Sequence, residues 1–156
     1  MAEKIIGTLS IDLGNTNTVL AFQGEKSSTP ILLEMPLITK SPGIVPTAIW
    51  FDENKGEKEI IIGTEALKIF NENNQEEYFY SNFKRLIGNP NEEYMKRYLS
   101  PEEAGEKFFK RLWDYIPEIF VIKRLVLTAP IDTYKGYRRW LISICNNLPI
   151  KEVALV

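Results

Sequence analysis

The sequence predicts an α/β fold built on one mixed sheet, and three observations point to it. Near the amino end, Ile5, Ile6, Leu9 and Ile11 run into Asp12 and a Gly14-Asn15 turn. A second apolar run, Val19-Leu20-Ala21-Phe22, follows at once, which is the pattern of an antiparallel hairpin. Toward the carboxyl end, a strand pattern over 123–128, a helical pattern and a strand pattern over 151–156 fill about 30 residues, the size and order of a βαβ unit with parallel strands. A chain of 156 residues, 44% apolar and 26% charged, is long enough to bury one compact core.

Residues 4–12 and 17–23 read as the two hairpin strands, 24–28 as a polar turn and 30–34 as a third strand. Pro36, Pro42, Gly43 and Pro46 mark 35–46 as extended loop. A strand over 48–51, a charged turn over 52–58 and a returning strand over 59–62 follow. Thr64 reads as the N-cap of a helix carrying Ala66, Leu67, Ile69 and Phe70, and 71–77 is polar and expected to be exposed. Residues 82–88 form a short helical turn stopped by Gly88 and Pro90. Ser100, Pro101 and Glu103 make a capping box with proline at the first position, opening a helix whose apolar face is Ala104, Phe108, Leu112, Tyr115 and Ile116. The strand over 123–128 ends at Ala129-Pro130. Asp132 or Thr133 caps the next helix, which carries Tyr137, Trp140, Leu141 and Ile144 and ends at Asn146, Asn147 and Pro149. Hairpin strands first and helix-linked parallel strands later make a ribonuclease-H-like arrangement from 1–35 and 119–156, with 36–118 an inserted α+β subdomain. Because 151–156 reads as a buried strand, the sheet is expected to be truncated there, the chain being a piece of something larger and that strand lacking partners.

Composition narrows the chemistry. A net charge of -2 without a basic block argues against nucleic acid as the main partner. No apolar run approaches the roughly 18 residues of a membrane span, and the amino end lacks the apolar segment of a secretory signal. The single cysteine, Cys145, excludes an internal disulfide and reads as a small core residue. The aromatic set Phe108, Phe109, Trp113 and Tyr115 likewise reads as core. With no histidine, Ser/His/Asp and Cys/His catalysis and histidine metal sites are excluded. What remains is Asp, Glu, Lys, hydroxyls, backbone N–H groups or a borrowed metal. The hairpin tip offers Asp12, Gly14, Asn15, Thr16, Asn17 and Thr18: either an anion-binding loop beside a carboxylate that could hold a metal-bound water, or an ordinary Asn/Gly turn.

The string Ile11-Asp12-Leu13-Gly14-Asn15-Thr16-Asn17-Thr18 resembles two branches of the actin-like ATPase superfamily. One is the start of type III pantothenate kinases. The other is the first phosphate loop of the 70-kDa heat-shock (DnaK-type) chaperones. Four further segments resemble the chaperone branch, in order along nearly the whole chain. Val45-Pro46-Thr47-Ala48 is similar to its Thr-Pro-Ser strand start, and Ile62-Gly63-Thr64-Glu65-Ala66 to its Gly-x-x-Ala helix start. Lys84-Arg85-Leu86-Ile87-Gly88 matches its Lys-Arg-Leu-Ile-Gly segment without a gap. Thr128-Ala129-Pro130, with Arg138 eight residues on, is similar to its Thr-Val-Pro…Arg segment. The departures are Asn15 where threonine is common, Asn17 where tyrosine is common, and Ala129-Pro130-Ile131-Asp132 in place of Val-Pro-Ala-Tyr.

The resemblance implies an amino-terminal part of a cytoplasmic chaperone's ATP-binding domain, with ATP/ADP and Mg²⁺ as cofactors. The parent would hydrolyse ATP to control the binding of unfolded peptide clients, in a stress-response role assisted by a co-chaperone and a nucleotide-exchange factor. Asp12 would hold Mg²⁺ through water; Gly14, Asn15, Thr16 and Asn17 would wrap the phosphates. Lys84 would be the catalytic lysine near the γ-phosphate, Pro130 and Arg138 an interdomain coupling pair, and Arg85 part of a structural or interdomain ion pair. The piece alone, having one side of a cleft, would bind nucleotide weakly and turn over none. Two alternatives accompany this: a small-molecule kinase of the pantothenate type, and a degenerate, non-hydrolysing binding module.

Overall fold

Alternation of apolar and polar residues drives the first two strands. β1 (Ile5–Leu13) buries Leu9, Ile11 and Leu13 and turns Ser10 and Asp12 outward. β2 (Asn17–Gly24) returns antiparallel, with Leu13 opposite Thr18 and Gly7 opposite Gly24. The computed structural model describes residues 2–56, 59–89, 96–129 and 135–156. Two short strands continue along the other edge of β2: β3 (Ile31–Leu32) at Ala21 and Phe22, and β4 (Ile44–Pro46) at Asn17 through Val19. β4 corrects the expectation of loop over 35–46. Ile44 and Val45 are strand formers, and a proline is tolerated in a strand at a sheet edge.

β5 (Ala48–Trp50), β6 (Ile61–Ile62) and β7 (Phe79–Ser81) form a separate antiparallel sheet in the order β6-β5-β7. β7 was not legible in the sequence, because only Phe79 and Tyr80 stand out from a polar stretch. Between β6 and β7 lies α1 (Gly63–Asn73), which Asn74 ends in the left-handed conformation at φ 51°. Thr64 is not its N-cap: the cap position is Ile62, and the Thr64 hydroxyl donates instead to the Leu37 carbonyl at 3.1 Å. The Thr64 N–H donates to the Ile38 carbonyl at 3.0 Å, so the loop over 36–39 takes the donors a cap would use.

α2 (Pro101–Asp114) carries the expected capping box in full: Ser100 Oγ accepts from the Glu103 N–H, and the Glu103 carboxylate accepts from the Ser100 N–H. It buries Ala104, Phe108, Phe109 and Leu112. β8 (Phe120–Leu127) then runs parallel to β1, α3 (Lys135–Asn146) follows, and β9 (Glu152–Leu155) lies parallel to β8. The caps proposed at Asp132 or Thr133 lie outside the described residues. The first sheet therefore has the order β3-β2-β1-β8-β9 and mixes antiparallel and parallel pairs, as the hairpin and the βαβ tail predicted. The edge of β9 away from β8 has no strand beside it among the described residues.

One apolar cluster joins both sheets with α2 and α3, drawing Phe22 from β2, Tyr80 from β7, Phe108 from α2 and Leu141 from α3, while Ala66 of α1 packs in a second, smaller cluster with Ala48 and Trp50. Cys145 is buried in the larger cluster, as expected of a core residue, and burial pushes its thiol above the ordinary value. No described helix is long and apolar enough to cross a membrane.

Candidate functional site

The parallel pairing of β1 with β8 sets Ile11 opposite Leu127 and brings the carboxyl ends of both strands side by side. In sheets of this kind, ligands gather at that end. Here Asp12, exposed, accepts a 2.6 Å hydrogen bond from the Thr128 hydroxyl. A bond of that length to a carboxylate is charge-assisted and fixes the carboxylate's orientation.

The turn after Asp12 is held from below by two buried threonines. Thr47 Oγ1 donates to the Gly14 carbonyl at 2.9 Å and lies 2.8 Å from Thr18 Oγ1. A hydroxyl has one proton, and Thr47 gives its own to Gly14, so Thr18 must donate to Thr47. The Thr47 N–H also donates to the Thr16 carbonyl at 2.9 Å. The tip is a clamped structure, and it is tight: a Cβ on Gly14 would fall 2.0 Å from the Asn17 carbonyl oxygen. Thr16 is exposed at the tip; Asn15 and Asn17 are half-buried.

Asn15 reaches sideways, and its Nδ2 donates to Asn82 Oδ1 at 3.0 Å. Its other amide atom, Oδ1, is buried and has no partner. Asn82 sits in the left-handed conformation at φ 56°, two residues before the 3-10 turn Lys84–Leu86. The Lys84 ammonium is half-buried, makes no ion pair among the described residues, and lies 5.4 Å from the centroid of the Tyr137 ring. Burial pulls its pKa below the ordinary lysine value, and the negative charge of Asp12 opposes that pull.

Tyr137, in the first turns of α3, is 3% exposed, and its hydroxyl has no hydrogen-bond partner among the described residues. Burial first, and the Asp12 charge second, raise its pKa well above the ordinary tyrosine value. Lys84 and Tyr137 are brought together by a close backbone crossing. Gly88, at φ 76°, meets Gly136 so tightly that a Cβ on Gly88 would lie 2.7 Å from the Gly136 backbone. Glu102 of α2 ties the crossing down: its carboxylate accepts from the Gly88 N–H at 2.8 Å, and its carbonyl accepts from Trp140 Nε1 at 3.1 Å.

The fold thus gathers Asp12, the tip residues and Lys84 at one end of the first sheet. Arg138 is exposed on α3 and Pro130 lies outside the described residues, so the two are not seen as a pair. Arg85 is exposed and makes no ion pair among the described residues. Thr47, Thr128 and Tyr137 were missed as site residues. For Tyr137 a signal existed: it shares the 137, 141, 144 core stripe with Leu141 and Ile144, and a buried phenol normally needs a hydrogen-bond partner.

No protein-family model matches the chain, and no curated protein matches it in sequence. The case for a site rests on these residues alone. Two grooves lie elsewhere, one of about 480 Å³ along α2 and one of about 560 Å³ beside Ile5, Ile6 and Gly24, and neither is lined by Asp12, Lys84 or Tyr137. The chemistry favours the cluster at Asp12. The α2 groove is bordered by opposite charges that already face one another, including the Lys110–Glu106 pair at 2.9 Å. The cluster at Asp12 holds polar groups that still lack partners.

Proposed function

We propose that this chain grips the phosphates of Mg²⁺-bound ATP or ADP, as part of an ATP-binding domain of the DnaK-type chaperone kind. The observation that carries the proposal is the meeting of distant segments at one end of the sheet: the clamped tip after Asp12 and a half-buried Lys84 ammonium with no ion pair among the described residues. An ammonium partly removed from water and left without a carboxylate is costly. An incoming phosphate offsets that cost, and near a terminal phosphoryl group the same charge would stabilise phosphoryl transfer.

The donor set also fits the metal. Mg²⁺ keeps several waters and is usually held by one or two carboxylates together with substrate phosphates. Asp12 supplies one carboxylate with a fixed orientation, and no cluster of three or more acidic or thiol ligands is present among the described residues. The strand order β3-β2-β1-β8-β9, with α3 between the last two, supports a ribonuclease-H-like arrangement in the reading that assigns 1–35 and 119–156 to it and 36–118 to an insertion. On this reading ATP hydrolysis would control a peptide-binding partner domain, with clients, co-chaperone and exchange factor as in the family resembled. The Asn15–Asn82 bond favours a second reading, binding without hydrolysis, since it engages an amide that would otherwise be free for phosphate.

The test is a ¹⁵N-NMR titration of the chain with Mg-ATP, alongside Asp12→Ala and Lys84→Ala and an ATPase assay. Expected are shifts at the tip and at 82–88, a Kd on the order of 1 mM, equivalent to about −4 kcal/mol, and a loss of about ten-fold in either variant. Turnover is expected to be negligible. Absence of binding, or binding that both variants retain, would overturn the proposal.

A further inference from the structure

A buried phenol with no hydrogen-bond partner is an unstable arrangement unless something arrives to complete it. Tyr137 is such a group, 3% exposed with an unsatisfied hydroxyl, and its surroundings say what would complete it. The face of its ring lies 5.4 Å from the Lys84 ammonium, within reach of a cation–π contact. The Asn15–Asn82 hydrogen bond ties the tip after Asp12 to the segment carrying Lys84, and the Asp12 charge bears on both the ammonium and the phenol. Gly88 and Gly136 cross with no room for a Cβ, which fixes the Lys84 turn against the start of α3.

We propose that the Tyr137 hydroxyl donates a hydrogen bond to the γ-phosphate of bound ATP, a group that ADP lacks, while its ring holds Lys84 in position for the same phosphate. The inference rests on the nucleotide reading above and adds a positioning residue and a source of specificity to it. The argument for the terminal phosphate is charge. A terminal phosphate approaches two negative charges at neutral pH, whereas a bridging one carries a single charge. An ammonium and a phenol side by side, one a full cation and the other a neutral hydroxyl with a proton to donate, complement the more highly charged group. Burial keeps the phenol protonated, and hence a donor, at any pH at which the protein would work.

The experiment compares Tyr137→Phe with the unaltered chain by the same NMR titration, using Mg-ATP, Mg-ADP and tripolyphosphate, and by thermal melting. Phenylalanine keeps the ring and removes only the hydroxyl. The expected result is a loss of about ten-fold in ATP and tripolyphosphate affinity, little change for ADP, and a melting temperature equal to or above that of the unaltered chain. ADP binding serves as the check that the variant is folded. Equal affinity of Tyr137→Phe and the parent chain for ATP, while Lys84→Ala loses it, would overturn this inference and leave the nucleotide reading standing. Equal losses for ATP and ADP together with a lowered melting temperature would assign Tyr137 a structural role and also overturn it. Failure of the unaltered chain to bind any of the three ligands would overturn both.

Discussion

Replacing Gly88 by alanine tests the junction that joins Lys84 to Tyr137. Two costs follow from the structure. Gly88 has φ 76°, in the left-handed region, where a Cβ costs about 1–2 kcal/mol. The new Cβ would also lie 2.7 Å from the Gly136 Cα and carbonyl carbon and 2.8 Å from the Tyr137 nitrogen, all backbone atoms that no side-chain rotation can move. Overpacking of that kind costs about 1–3 kcal/mol. The sum, about 2–5 kcal/mol, is a large part of the 5–15 kcal/mol that typically holds a domain together. Gly56 provides the control: its φ is 79°, but nothing lies within 4 Å of its added Cβ, so Gly56→Ala should lose only the strain of about 1–2 kcal/mol. Urea denaturation reads the difference. With a slope of about 2 kcal/mol/M, Gly88→Ala should lower the midpoint by about 1–2.5 M and Gly56→Ala by about 0.5–1 M. If the two variants unfold at the same midpoint, the crossing does not exist as described, and the placement of Lys84 against Tyr137 fails with it.

Two further outcomes follow from the same site. Thr47→Val leaves the buried Thr18 hydroxyl without its acceptor and the Gly14 carbonyl without its donor, and should cost about 1–3 kcal/mol in denaturant unfolding. The Thr18→Val/Thr47→Val double variant should recover part of that loss, and a double variant no better than the single one would argue against the hydroxyl pair. Alkaline stability should carry two opposed signatures. Tyr137 has a folded pKa above its unfolded value near 10.0, so above that pH the unfolded chain has released a proton that the native one keeps, and stability falls; Tyr137→Phe should remove the fall. Lys84 has a folded pKa below its unfolded value near 10.5, so between the two the unfolded chain binds more protons and stability rises with pH; Lys84→Met should remove the rise. Thermal unfolding between about pH 8 and 11 reads both signs.

Local signals were strong where one short segment decides its own structure. The hairpin follows from alternation on either side of a Gly14-Asn15 turn. The start of α2 follows from Ser100, Pro101 and Glu103, which cap one another within a single turn of helix. The order strand, helix, strand at the carboxyl end implied parallel pairing, because two parallel strands need a crossover that long. Weak signals failed for a physical reason as well. β4 and β7 are three-residue strands whose stability comes from the strands they lie beside, β2 and β5, and a window of sequence holds no trace of those neighbours.

The sequence by itself determined the chemistry open to this protein: without histidine and with a single cysteine, any site must work through Asp, Glu, Lys, hydroxyls, backbone N–H groups or a borrowed metal. It also singled out Asp12 and Lys84 as the residues to watch. Only the tertiary structure decided that these two share one electrostatic neighbourhood, that Thr47 clamps the tip, and that the Tyr137 hydroxyl is buried with nothing to bond. The reason is that such placements depend on contacts between residues far apart in the chain, here a glycine crossing and a parallel strand pair, whose geometry is fixed by packing and is written in no single segment.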